Sequence, residues 1–246
     1  EMPQVIDRLL NNPLISNYLG YILPGTSAET LMAKLRSYRK IDDFQKDFIY
    51  NSVRQLANKT TKSLDLSGYK YLDKKESYTF ISNHRDIVLD SAFLNILLVE
   101  KGLDTFEIAI GDNLLIYPWI RDIVRLNKSF IVKRDLTVRQ QMVASMEMSS
   151  YMYYVINEKK QSIWLAQREG RAKDSDDRTQ LSILKMLNLG GESSVLGNLA
   201  SMKIVPVSIS YEYDPCDYLK AKEMQLKRDN PDYKKSQQDD LMNMQT

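Results

Sequence analysis

From about Tyr69 onward the chain alternates short apolar runs with longer segments of helical periodicity. The short runs are Tyr78–Ser82, Phe106–Ile110, Ser129–Lys133, Ser162–Ala166 and Lys203–Ser210. They are rich in Ile, Val, Phe and Trp and are mostly apolar on both faces, which reads as strands covered on both sides. Between them, Asp90–Lys101, Asn113–Leu126, Val138–Lys159 and Arg178–Leu189 read as helices. Strand and helix in turn predict an α/β fold: a mixed, mostly parallel sheet covered by helices, with an N-terminal helical segment in front. In such a fold, catalytic groups are expected in the loops where strands end.

The first sixty residues look helical. Thr26-Ser-Ala-Glu29 has capping-box spacing after the Pro24-Gly25 break. Ile41, Phe44, Phe48, Ile49, Val53 and Leu56 then form an apolar face at helical spacing. Thr137-Val-Arg-Gln140 is a second capping box, opening the longest helix, along which Val138, Met142, Met146, Ser149, Tyr153 and Ile156 are expected to pack in the core. After Tyr211 the chain turns polar, with six Lys/Arg and seven Asp/Glu from Asp214 to Thr246, and is expected to be solvated and without chemistry. The organisation reads as residues 1–60, an N-terminal helical segment and candidate membrane-associated element; 61–213, the α/β domain; and 214–246, a polar helical or flexible tail. Neither end resembles a natural boundary, so a fragment is expected.

Composition narrows the chemistry. A net charge of +2 does not suggest a polyanion partner, and no basic stripe with interleaved aromatics points to nucleic acid. With one cysteine, Cys216, the chain forms no internal disulfide, and a reducing compartment is expected. A lone cysteine beside a lone histidine argues against a zinc site. The apolar runs Leu14–Leu23 and Ala92–Val99 are too short and interrupted to span a bilayer, although lying on one stays open.

The single histidine, His84, sits where an apolar β-prone stretch meets a polar corner, two residues before Asp86 and six before Asp90. Imidazole is the side chain best suited to moving a proton near neutral pH. Its block, Asn83-His-Arg-Asp-Ile-Val-Leu-Asp90, is followed in order by Ser129-Phe-Ile-Val-Lys-Arg134, Arg168-Glu-Gly-Arg-Ala-Lys-Asp174 and Ile204-Val-Pro-Val-Ser208.

In order and spacing these four blocks resemble the glycerolipid acyltransferases, the 1-acyl-glycerol-3-phosphate and glycerol-3-phosphate acyltransferases, across roughly Tyr69 to Tyr211. The resemblance implies an enzyme moving a fatty acyl group from an acyl thioester, on coenzyme A or acyl-carrier protein, to a lysophospholipid-like acceptor. It implies His84 as general base, oriented by a carboxylate, with no cofactor and no metal. It implies a phosphate-binding group of Arg134, Lys133, Glu169, Gly170, Arg171 and Lys173. The partners implied are the lipid acceptor, the thioester carrier and a membrane surface; the location implied is cytoplasmic, peripheral on the inner face of a membrane, in phospholipid biosynthesis.

The sequence departs from the family pattern twice. The family leaves four residues between His and Asp, whereas here Leu89 occupies that place and Asp90 follows it. Asp90 is the expected partner, absorbed by a bulge and doubling as a helix N-cap, with Asp86 as fallback. Arg168 stands where the family has proline, and Arg171 matches the family arginine only after a one-residue deletion. Because the phosphate-binding block is the altered one, an N- or O-acyltransferase of an amino-acid lipid is an alternative, as is a non-catalytic lipid-binding relative. Asn83 is expected to bond the turn backbone, and Arg85 to pair with Asp86 or Glu169. Tyr117 and Trp119 are expected in the core, and Arg121, Arg125, Lys128, Lys133 and Arg134 as a basic rim.

Overall fold

The computed structural model describes residues 2–13, 15, 25–173, 176–234 and 236. The apolar run expected over Leu14–Leu23, Ile15 apart, lies outside the described residues, as do Asp174 and the final polar run.

The alternation expected from the sequence is present. The strands are β1 (Thr79–Ser82), β2 (Phe106–Gly111), β3 (Ser129–Val132), β4 (Ser162–Ala166) and β5 (Ile204–Val207). They form one sheet in the order β3-β2-β4-β1-β5. It is all parallel rather than mixed. Each return therefore needs a crossover, and the helical segments supply it. The described helices are α1 (Met2–Leu10), α2 (Ala28–Ser37), α3 (Ile41–Asp43), α4 (Tyr50–Thr60), α5 (Leu89–Glu100), α6 (Pro118–Leu126), α7 (Val138–Asn157), α8 (Leu181–Asn188), α9 (Val195–Ser201) and α10 (Asp217–Asp229).

The chain packs as two compact units. One holds the residues up to Lys74 with Ala92–Ile108 and Leu115–Phe130; the other holds Lys75–Ser91, Ala109–Leu114 and the residues from Ile131 on.

The first unit is built on an apolar cluster of Val5, Ile6, Leu9 and Leu10 against Leu31, Leu35, Phe44, Phe48 and Leu126. Each such burial is worth about 1.5–3 kcal/mol of gross transfer energy. The cap of α2 is Ser27, not Thr26: Ser27 has the extended backbone a cap requires, and its Oγ accepts from Thr30 N at 3.2 Å. Between α3 and α4 the helix widens into a π turn, Phe44–Ile49. The extra residue in that turn rotates α4 about the helix axis, so Phe44 and Phe48 are buried while Leu56, expected on the same face, is exposed. α6 starts at Pro118, whose missing N–H costs nothing at a first helical position, and Asp112–Leu114 forms a separate 3-10 turn. Trp119 packs on the apolar cluster, whereas Tyr117 is exposed. Lys128 is no rim residue: it is ion-paired with Asp42 at 2.5 Å and bonded to Thr105.

In the second unit β1 is buried along its whole length. It pairs level with both neighbours, Ser82 opposite Ala166 of β4 and Val207 of β5. β5 ends the sheet and carries Pro206 opposite Ile81. The carbonyl of Lys203 accepts from Thr79 N on the β1 side, so by strand alternation the Pro206 nitrogen faces the outer edge. The Thr137–Gln140 capping box forms as expected. The apolar stripe behind it is only half core: Ser149 and Ile156 are buried, but Val138, Met142 and Met146 are 87%, 55% and 50% exposed. The first turns of α7 run clear of the packed body of this unit. α9, capped by Ser194 after Gly190-Gly191, was not foreseen. The expected tail contains α10, in which Lys220 and Glu223 are buried.

Candidate active site

His84, Asp90, Arg134, Glu169, Arg171 and Tyr211 all belong to the second unit, in segments that follow the C-terminal ends of parallel strands. Because β1, β4 and β5 are in level register, the segments leaving them emerge together. His84 follows β1, the Glu169–Lys173 segment follows β4, and Ile209 and Tyr211 follow β5. This is where an open α/β sheet gathers ligand-binding groups.

The turn after β1 is organised around Asp90, which is 1% exposed. Its Oδ2 lies 2.9 Å from His84 Nδ1 and also accepts from the backbone N–H groups of Arg85 (2.7 Å) and Asp86 (3.0 Å). Its Oδ1 accepts from the hydroxyl of Tyr211 at 2.8 Å. With the charge so fully hydrogen-bonded, Asp90 is an acceptor toward the ring, which places the proton on Nδ1 and leaves the Nε2 lone pair available. Nε2 has no hydrogen-bond partner among the described residues, and the ring keeps 15% of its surface exposed. Trp164 of β4 meets the ring edge-on at 5.8 Å, its own N–H donating to Ser82 Oγ at 3.0 Å.

The extra residue between His84 and Asp90 is absorbed by the turn. α5 starts at Leu89, and Asp86, not Asp90, does the capping: its Oδ1 accepts from Val88 N (2.9 Å) and Leu89 N (2.8 Å). The fallback partner therefore faces the helix start while Asp90, one position inside the first turn, reaches back to the ring. Asn83 bonds backbone as expected, but that of the chain after β5: its side chain donates to Ile209 O and accepts from Ile209 N. Arg85 pairs with neither Asp86 nor Glu169; it meets Asp177 at 2.5 Å.

The cationic side is arranged differently. Arg134 pairs with Glu169 at 3.2 Å, and its backbone N–H donates to Asp112. Its guanidinium lies so close over Gly111 that a Cβ there would come within 2.7 Å of Nε. Lys173 is held by Glu223 of α10 at 2.5 Å. Arg171 is buried and bonds Cys216 at the start of α10. Lys133 is exposed. Gly170 takes φ +71°, the left-handed turn that glycine accepts without strain. The segment is stitched to the turn after β1 by Ala172 N donating to His84 O at 2.8 Å. Of the residues expected to form one clamp, Arg134 holds Glu169, Arg171 bonds Cys216 and Lys173 holds Glu223. Cys216 is a neighbour of the turn, 4.0 Å from Asp86. Burial, and then the charge of Asp86, push its thiol up, which makes it a poor nucleophile.

The sequence reading missed Tyr211, Asp177 and the buried Lys220 and Glu223. The available signal for Tyr211 was its place just past the fourth block, at the end of a strand that must neighbour β1 for that block to reach the site.

The described residues thus form a parallel α/β domain in which an imidazole is hydrogen-bonded to a buried carboxylate and cations lie on the adjoining loop. The acyltransferase family model matches residues 63–210, more than half of the chain, and the chain belongs to the glycerolipid acyltransferase family. Its reaction is acyl transfer, and a lipid or acyl donor is among its substrates. Comparison with curated proteins gives no match.

Proposed function

We propose that this acyltransferase moves a fatty acyl group from a coenzyme A or acyl-carrier-protein thioester to the hydroxyl of a lysophospholipid-like acceptor, in the manner of a 1-acylglycerol-3-phosphate acyltransferase. His84 Nε2 takes the hydroxyl proton, the oxygen attacks the thioester carbonyl, the carbon–sulfur bond breaks, and the imidazolium returns the proton to the departing sulfur. Asp90 fixes the tautomer and balances the imidazolium charge. No cofactor takes part. The observation that supports this reading is the 2.9 Å contact of the only histidine with a buried carboxylate at a strand end.

Arg134 and Arg171, with Lys133, Lys173, Glu169 and Gly170 beside them, are the groups for an acceptor phosphate. Since Arg134 already holds Glu169, a phosphate has to displace a carboxylate to bind there. That same pairing favours a second reading, in which the acceptor is an amine or hydroxyl of an amino-acid lipid. Its carboxylate and ammonium would match a cation–carboxylate pair. Such substrates call for work at a membrane surface, on its cytoplasmic face; no helix among the described residues is long and apolar enough to cross a membrane.

The test is mass-spectrometric product analysis with a panel of lysolipids, amino acids and acyl donors. An acylated lysophospholipid that disappears with His84→Ala is the expected result. Turnover that survives His84→Ala unchanged overturns the proposal.

A further inference from the structure

Asp90 uses one carboxylate oxygen for the His84 turn and offers the other to Tyr211, whose hydroxyl lies 2.8 Å from Oδ1. We propose that Tyr211 is a positioning residue for the reaction, the far member of a Tyr211–Asp90–His84 chain that holds the carboxylate and sets the basicity of the imidazole. The inference rests on the reading of His84 as the base.

Three donors reach Oδ2, and all come from the His84–Asp86 turn itself. Tyr211 is the donor from a different strand end, the segment after β5. It therefore ties the carboxylate to the sheet rather than to the turn. A buried carboxylate short of a donor carries a desolvation penalty on that oxygen. It relieves the penalty by rotating or by drawing the imidazole proton closer. A hydroxyl on Oδ1 prevents both and spreads the charge over the two oxygens, weakening the pull of Oδ2 on the ring. Tyr211 is a permanent donor: burial, then the charge of Asp90, hold its phenol far above the ordinary tyrosine range. The other charged groups facing it are Asp86 and Asp214, with Cys216 beside Asp86, Arg171 on Cys216, Lys220 on Asp214, and Arg85 held by Asp177. Replacing Tyr211 by Phe leaves all of these in place, so any change in the ring belongs to the hydroxyl. Tyr211 also lies just beyond the matched region, residues 63–210, so the family match does not assign it.

Because the chain has one histidine, selective histidine labelling gives one imidazole to follow by NMR, with no assignment needed. In Tyr211→Phe the Oδ2 charge is less dispersed, the imidazolium is stabilised, and the ring is expected to titrate about half a unit to one unit higher than in the unaltered protein. The acid limb of kcat/KM moves the same way, while the acceptor KM changes less than about twofold. In an Asp90→Asn background, adding Tyr211→Phe moves the ring titration no further. A Tyr211→Phe ring that titrates with the unaltered protein, or a shift that persists without the Asp90 charge, overturns the proposal. The titration needs no turnover. A ring that responds as expected in a protein without acyl transfer keeps the chain and rejects the catalytic reading; the opposite pair of results does the reverse.

Discussion

The two sides of the site are built on opposite principles. On the base side, Asp90 is buried and every donor around it is committed to holding one geometry. On the cationic side, Arg134 and Glu169 are solvent-facing and hold each other, an arrangement that a ligand can exchange. A buried pair loses several kcal/mol when one partner goes, whereas an exposed pair is worth about 0–1 kcal/mol. On the proposed reading the chemistry is fixed before substrate arrives and the Arg134–Glu169 contact costs little to rearrange, whereas Arg171 and Lys173 are held by less accessible groups. Variation within such an enzyme would then change the acceptor more readily than the reaction.

Substitutions test that contrast. His84→Ala or Asp90→Asn is expected to lower kcat about 10²–10⁴-fold with little change in either KM, measured by steady-state turnover. An unaltered kcat in Asp90→Asn would mean that the base side is not preset. Next in size, Arg134→Ala is expected to raise the apparent KM of a phosphate-bearing acceptor about tenfold, and Glu169→Gln to lower it, with the donor KM steady in both. If neither moves it, the amino-acid lipid is the better acceptor.

The smallest effect concerns pH. Hydrogen bonds from Arg178 pull the Asp176 carboxyl down to about 2. A folded value below the unfolded one means that its contribution is fully present above the ordinary carboxylate range and is lost as pH falls through about 2. Asp176 is partly exposed and Arg178 almost wholly so; its carboxyl resonance is expected to titrate near that value, while Asp176→Asn moves the denaturation midpoint little between pH 4 and 6. A resonance that titrates near pH 4 would show the pair to be unformed.

Much of this was readable from residue order, and the failures have a common cause. Strand positions were legible because apolar runs such as Ser162–Ala166 need cover on both faces, which is a local property. Asp90 was legible as the partner because Asp90-Ser-Ala-Phe-Leu resembles the family's helix start. The capping role expected of Asp90 falls to Asp86, which lies outside the helix and takes the N–H groups of Val88 and Leu89, while Asp90 takes those of Arg85 and Asp86. The partners of Arg85, Lys173 and Asp90 Oδ1 come from Asp177, Glu223 and Tyr211, each far along the chain. Which segments meet depends on sheet order, and composition does not carry it. The polar stretch after Tyr211 is solvated along most of its described length, as expected, but two of its charges, Lys220 and Glu223, are buried against partners for the same reason. The stripe on α7 failed in the other direction, since periodicity reports which face is apolar and not how much of the helix is covered.

Pro206 has a consequence outside catalysis. A terminal strand with a free row of N–H groups is a template on which a foreign strand can polymerise. Here the outward position opposite Ile81 has no hydrogen to offer. A visiting strand would meet a gap in the ladder at the centre of a four-residue edge. The identity of one residue thus makes this edge of the sheet a poor template for fibre-like growth.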